Sequence, residues 1–122
     1  MCRRIKVLFS EEAESIYQDF FRKANISKKE RMILKAVDQK VEFIKMDSHY
    51  GNPIAKQLIP SEYIMKYDVK NLFRVELPCF WRMIYTLKES EKEEEIDIII
   101  VALVIDIIDH KTYNKKFGYK DR

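Results

Sequence analysis

Hydrophobic and polar positions change rhythm several times along this chain, and each change predicts an element. Between Arg3 and Phe9 the apolar residues Ile5, Val7 and Phe9 fall on every second position, the period of a strand with one buried face. Ser10 then offers its hydroxyl to the free N–H groups of a helix, and Glu11 and Glu12 suit its first turn. Ala13, Ile16, Tyr17, Phe20, Phe21 and Ala24 follow at the three-four spacing of a helix with one buried side.

A second helix is predicted from Ser27, where Ser27-Lys28-Lys29-Glu30 reads as a capping box. Its inward stripe is Ile33, Leu34, Val37, Val41 and Ile44, and Gly51-Asn52-Pro53 marks its stop. About two residues join the helices, so an antiparallel hairpin is expected. Ile54 to Lys66 reads as a loop with a short helical turn. Tyr67 to Leu77 reads as a strand, Pro78-Cys79 as a turn, and Phe80 to Leu87 as a strand running back. Lys88 to Glu95 makes a charged turn. Ile96 to Ile108 is β-branched and apolar on both sides, as in a strand covered on both faces. The tail from Asp109 to Arg122 closes the chain.

The expected architecture is therefore α+β, in one domain spanning 1–122. An N-terminal strand and a helix hairpin precede a three-stranded antiparallel meander, and the helices pack on one face of the sheet. The first strand is expected at a sheet edge or beside the last strand.

Composition narrows the setting. The 122 residues suit one domain, and 47% hydrophobic content suffices for a packed core. The most apolar run is too short to cross a bilayer as a helix, and no secretory leader is visible, so a cytoplasmic protein is expected. Cys2 and Cys79 belong to no CxxC or Cys/His cluster, and His49 and His110 lack a metal-ligand spacing. Two free thiols and no metal or other cofactor are the expectation. Net charge is +3, but Lys88 to Asp97 holds two lysines against six carboxylates. An acidic turn thus masks a basic body, which favours polyanions or acidic partner segments.

The order of elements resembles the RelE/ParE-like toxins of type II toxin–antitoxin systems. Particular residues carry the likeness. Arg74 stands on one strand, a short turn follows, and the next strand reads Phe80-Trp81-Arg82-Met83-Ile84-Tyr85. Asp109-His110-Lys111-Thr112-Tyr113 is similar to the family's ending, a His or Arg followed shortly by Tyr. The resemblance implies an mRNA endoribonuclease, free or on the ribosome, or a related toxin directed at gyrase. It also implies a cognate antitoxin that wraps the basic sheet and helices. A homodimer is compatible with the long apolar strand.

Metal-free RNA cleavage needs a base for the 2′-hydroxyl, an acid for the 5′-oxygen and cations for the phosphoryl oxygens. His110 suits acid or base. Tyr113 suits proton sharing or base stacking, and Arg82 and Arg74 suit charge stabilisation. Lys111, Lys28, Lys29, Lys35 and Lys40 are candidate RNA contacts. Each residue also has a bland reading. His110 could cap the strand end, Tyr113 could be an ordinary half-buried tyrosine, Arg82 a cross-strand partner, and Arg74 an ion-pair partner of Glu76 or another acid. Helix lysines most often form a solvated face. Whether Arg74 and Arg82 share a face turns on the register at Pro78-Cys79.

Overall fold

The computed structural model describes residues 4–91 and 98–118. Strand β1 (Arg4–Phe9) leads into helices α1 (Glu11–Lys23) and α2 (Lys28–Met46). A two-residue strand β2 (Asn52–Pro53), a 3-10 turn at Lys56–Leu58 and helix α3 (Ser61–Tyr67) follow. Strand β3 (Phe73–Leu77), a turn at Pro78–Phe80, strands β4 (Trp81–Glu91) and β5 (Ile98–Asp109), and helix α4 (His110–Phe117) complete the described chain.

The five strands form one sheet in the order β1-β5-β4-β3-β2. β3, β4 and β5 pair antiparallel in succession, and β1 lies parallel to β5 at the edge. Ser10 ties this edge to the first helix. Its Oγ accepts from the Ala13 N–H at 3.1 Å and donates to the Ile105 carbonyl at 2.8 Å, capping α1 and fastening it to β5. At Ser27 the expected reciprocal capping box is not formed. The hydroxyl donates to the Glu30 carboxylate and makes no bond to the helix N–H groups.

Helices cover both faces of the sheet, not the one face expected from sequence. The α1–α2 hairpin buries Ala13, Phe20, Ile33, Val37 and Ile44 against Phe73, Val75, Leu77, Met83, Tyr85, Val104 and Ile107. On the other face α3 and α4 bring Tyr63, Tyr113 and Phe117 onto Leu72, Ile84, Ile105 and Ile108. The reason lies in β5. A shift in pairing between Ile84 and Tyr85 inserts an extra residue in β5, so Val104 and Ile107 point to one face and Ile105 and Ile108 to the other. Burying each such side chain is worth about 1.5–3 kcal/mol, so both faces need a cover.

Two segments differ from expectation. Residues 61–67 are helical, and Asp68 ends that helix in a left-handed conformation with φ 52°, which confines β3 to its last five residues. The tail folds as α4, capped by the Asp109 carboxylate on the Thr112 N–H at 2.8 Å and closed by left-handed Gly118. Strand β4 also runs on into the expected charged turn, and the rest of that turn, 92–95, lies outside the described residues, as do the first two residues of the expected strand from Ile96. No helix among the described residues is long and apolar enough to cross a membrane.

Candidate functional site

Strand alternation decides which side chains meet. On β3 the apolar residues Phe73, Val75 and Leu77 enter the hairpin core, so Arg74 and Glu76 point to the opposite face. On β4 Met83 and Tyr85 enter the same core, so Arg82 points with Arg74 and Glu76. The pairing Glu76↔Arg82, with Arg74 two residues along, then groups three charges on one patch of sheet. The two arginines share a face.

Glu76 stands between them. Its Oε1 lies 3.1 Å from Arg74 Nε, and its Oε2 lies 3.2 Å from Arg82 Nε. The Arg82 side chain is only 15% exposed, whereas that of Glu76 is 54% exposed. The carboxylate is therefore the solvent-facing member of the trio. Two guanidiniums against one carboxylate leave the patch with an excess positive charge, suited to a phosphate.

Helix α4 completes the patch. Asp109 pairs with Trp81 across β4 and β5, so the helix starts beside Arg82 and turns back over the sheet. Its buried residues Tyr113 and Phe117 stack at 4.3 Å. Tyr113 is 1% exposed. It forms a floor, with Arg82 Cζ 4.5 Å and Arg74 Cζ 5.6 Å from its ring centroid. Arg74 also donates to the Tyr113 hydroxyl at 3.2 Å.

His110 lies one helical turn earlier and is exposed. Its Nδ1 is 3.1 Å from Arg82 Nη1, and its Nε2 is 3.2 Å from the Asn114 side-chain amide. Arginine can only donate, so Nδ1 accepts and the neutral ring carries its proton on Nε2. The Asn114 amide oxygen is then the natural partner for that proton. Phe80, 76% exposed, flanks His110 with ring centroids 6.1 Å apart.

Arg74, Arg82, His110 and Tyr113, singled out from sequence, thus converge, with Tyr113 beneath the two arginines and His110 beside Arg82. Lys111 is exposed beside His110 on α4. Lys28, Lys29 and Lys35 are exposed on α2, which packs on the other face of the sheet, away from this patch. Lys40, also on α2, donates to the Tyr50 hydroxyl at 3.2 Å. Glu76, Asn114 and Phe80 were not singled out as site residues. The Arg-x-Glu alternation signals the first, and the His-x-x-x-Asn spacing signals the second only once the tail is known to be helical.

A second group lies under α3 and α4. Asp106, 7% exposed, accepts from the Tyr63 hydroxyl at 2.7 Å, and Lys116 Nζ is 3.7 Å from the same carboxylate. Burial, reinforced by the Asp106 charge, pushes the Tyr63 phenol well above its ordinary pKa. An open cleft of about 580 Å³ beside it is lined by Pro60, Ser61, Glu62, Thr112, Lys115 and Lys116. None of the arginine-patch residues lines this cleft. No group of three or more His, Cys, Asp or Glu among the described residues is placed to hold a metal ion.

No family model, no curated protein and no solved structure matches this chain.

Proposed function

We propose that this protein is a RelE/ParE-like toxin that cuts mRNA without a metal, and that the Arg74–Glu76–Arg82–His110 patch is its active site. The observation that carries the reading is the convergence of two guanidiniums, a carboxylate and an exposed imidazole on one patch of sheet. The order of strand, two helices and antiparallel strands supports it. In this reading Arg74 and Arg82 hold the scissile phosphate and stabilise the charge growing on its oxygens. Glu76 takes the 2′-hydroxyl proton as the 2′-oxygen–phosphorus bond forms. As Arg82 turns from His110 Nδ1 to the phosphoryl oxygens, the ring takes up a proton there. Protonated His110 then gives its Nε2 proton to the 5′-oxygen as the bond of that oxygen to phosphorus breaks. The products are a 2′,3′-cyclic phosphate and a free 5′-hydroxyl. Tyr113 carries no proton in this scheme, because it is buried beneath the arginines and serves to position them.

The biological role follows as translation arrest in the cytoplasm, on free or ribosome-bound mRNA, relieved by a cognate antitoxin. A non-catalytic module acting on gyrase would have no need of an exposed histidine hydrogen-bonded to an arginine of a cationic patch. The test is cleavage of a defined transcript, with and without ribosomes and with EDTA present, followed by analysis of the new ends. Cyclic phosphate ends, lost in Arg82→Ala and His110→Ala, support the reading. Intact RNA with well-folded protein under both conditions overturns it.

A further inference from the structure

The turn between β3 and β4 is built in an unusual way. Cys79 and Phe80 both occupy the left-handed region, with φ 61° and 62°. Such angles are uncommon for any residue but glycine, and rarer still for a bulky one. Neither side chain is repaid by burial in the core. Trp81 packs inward on Phe20 at 4.9 Å, while Phe80 is turned out to solvent at 76% exposure. Its ring stands next to His110, at the rim of the arginine patch. An exposed aromatic ring is thus held by a costly backbone conformation at the edge of the cationic patch. Backbone strain of this kind persists where the surroundings over-determine it, and it clusters at functional sites.

We propose that Phe80 is the base-stacking platform of this site, receiving the nucleobase next to the phosphate held by Arg74 and Arg82. This deepens the ribonuclease reading and rests on it. A ring face is sequence-tolerant, because every base has a π-face. The platform would therefore fix where the strand lies without dictating which base is read. It would also position the nucleotide against His110, on whose flank it stands.

Glycine at position 80 separates this role from a structural one. It removes the ring and accepts the left-handed conformation without strain, so Phe80→Gly is expected to keep or raise the Tm. The probe is a short, labelled 2′-O-methyl oligoribonucleotide of mixed sequence, which cannot be cleaved. Phe80→Gly should bind it about tenfold more weakly than wild type, the scale of one lost base–aromatic stack. Phe80→Tyr should bind like wild type. Moving an abasic nucleotide along the probe should reveal one position where the Phe80→Gly penalty disappears. Wild-type affinity in Phe80→Gly, with weakened binding in Arg82→Ala, overturns the platform while leaving the ribonuclease reading in place. A penalty that persists at every abasic position also overturns it. Failure of wild type to bind the probe, both free and loaded on ribosomes, overturns both.

Discussion

Arg82 lies over the ring of Tyr113, its guanidinium carbon 4.5 Å from the ring centroid. The tyrosine is buried and the arginine nearly so, and this contact ties the last helix to the middle of the sheet. It also makes a role for the phenol testable. Tyr113→Phe keeps the ring and loses only the hydroxyl that accepts from Arg74. It is expected to cost about 1 kcal/mol in urea unfolding and to leave cleavage near the wild-type rate. A loss of about 100-fold, the size of a general acid–base contribution, would place the phenol in the proton transfer instead.

Glu76 should give two effects of opposite sign. Glu76→Gln removes the negative charge between Arg74 and Arg82, so binding of a non-cleavable RNA should tighten, most clearly at low salt. Cleavage should fall by about 100-fold or more, because the amide cannot take the 2′-hydroxyl proton. Single-turnover rates and equilibrium binding measured on the same protein separate the two. Tighter binding with undiminished cleavage would leave Glu76 as an ion-pair partner alone.

The short segment before β2 depends on one glycine and one tyrosine. The Tyr85 hydroxyl donates to the Ser48 carbonyl at 2.8 Å and accepts from the Gly51 N–H at 2.9 Å. A Cβ on Gly51 would meet Tyr85 Cε1 at 2.9 Å and the Arg74 carbonyl at 3.1 Å. Gly51→Ala is expected to destabilise by about 1–3 kcal/mol through overpacking. Tyr85→Phe should cost about 1–3 kcal/mol, because two buried backbone groups lose their partner. Chemical denaturation of both variants checks these values, and an unchanged midpoint in either would show that the segment rearranges freely.

Asp109 links acidity to the last helix. The Thr112 N–H bonded to its carboxylate holds its pKa below the ordinary aspartate value. A depressed folded-state pKa stabilises the protein above the unfolded value, near 3.9, and that stabilisation is lost as pH falls through the lower folded value. Asp109→Asn keeps a capping oxygen without the charge, so its stability should fall less than that of wild type over this acid range. At neutral pH Asp109→Ala should cost about 1 kcal/mol. It should also slow cleavage, because α4 carries His110. Thermal melts as a function of pH, with cleavage assays alongside, provide the check.

Much of this fold was legible from local pattern. The Ser10 cap, the two amphipathic helices and the doubly buried final strand each follow from residues close in sequence, where side-chain period and capping chemistry act over one or two turns. The four charged or aromatic candidates were legible as residue types. The tail helix carried its own signals, an Asp109 cap, Tyr113 and Phe117 four apart, and Gly118 at its end, but eight residues give too little periodicity to stand out. Residues 61–67 were harder still, because a helix that short takes its stability from packing, chiefly the burial of Tyr63 against the sheet.

Sequence by itself determined the α+β class, the helix hairpin and the run of antiparallel strands, because those rest on local backbone preference and on the burial of apolar stripes. Tertiary structure alone decided that helices cover both faces, that Arg74, Glu76 and Arg82 share one, and that His110 stands beside them with Tyr113 beneath. Those relations depend on strand register and on where the chain turns back. A shift of one residue in the three-residue turn at Pro78–Phe80 would send Arg82 to the opposite face of the sheet, and no local preference opposes such a shift. The opposition comes from the packed core, where Met83 and Tyr85 must meet Val75 and Phe73.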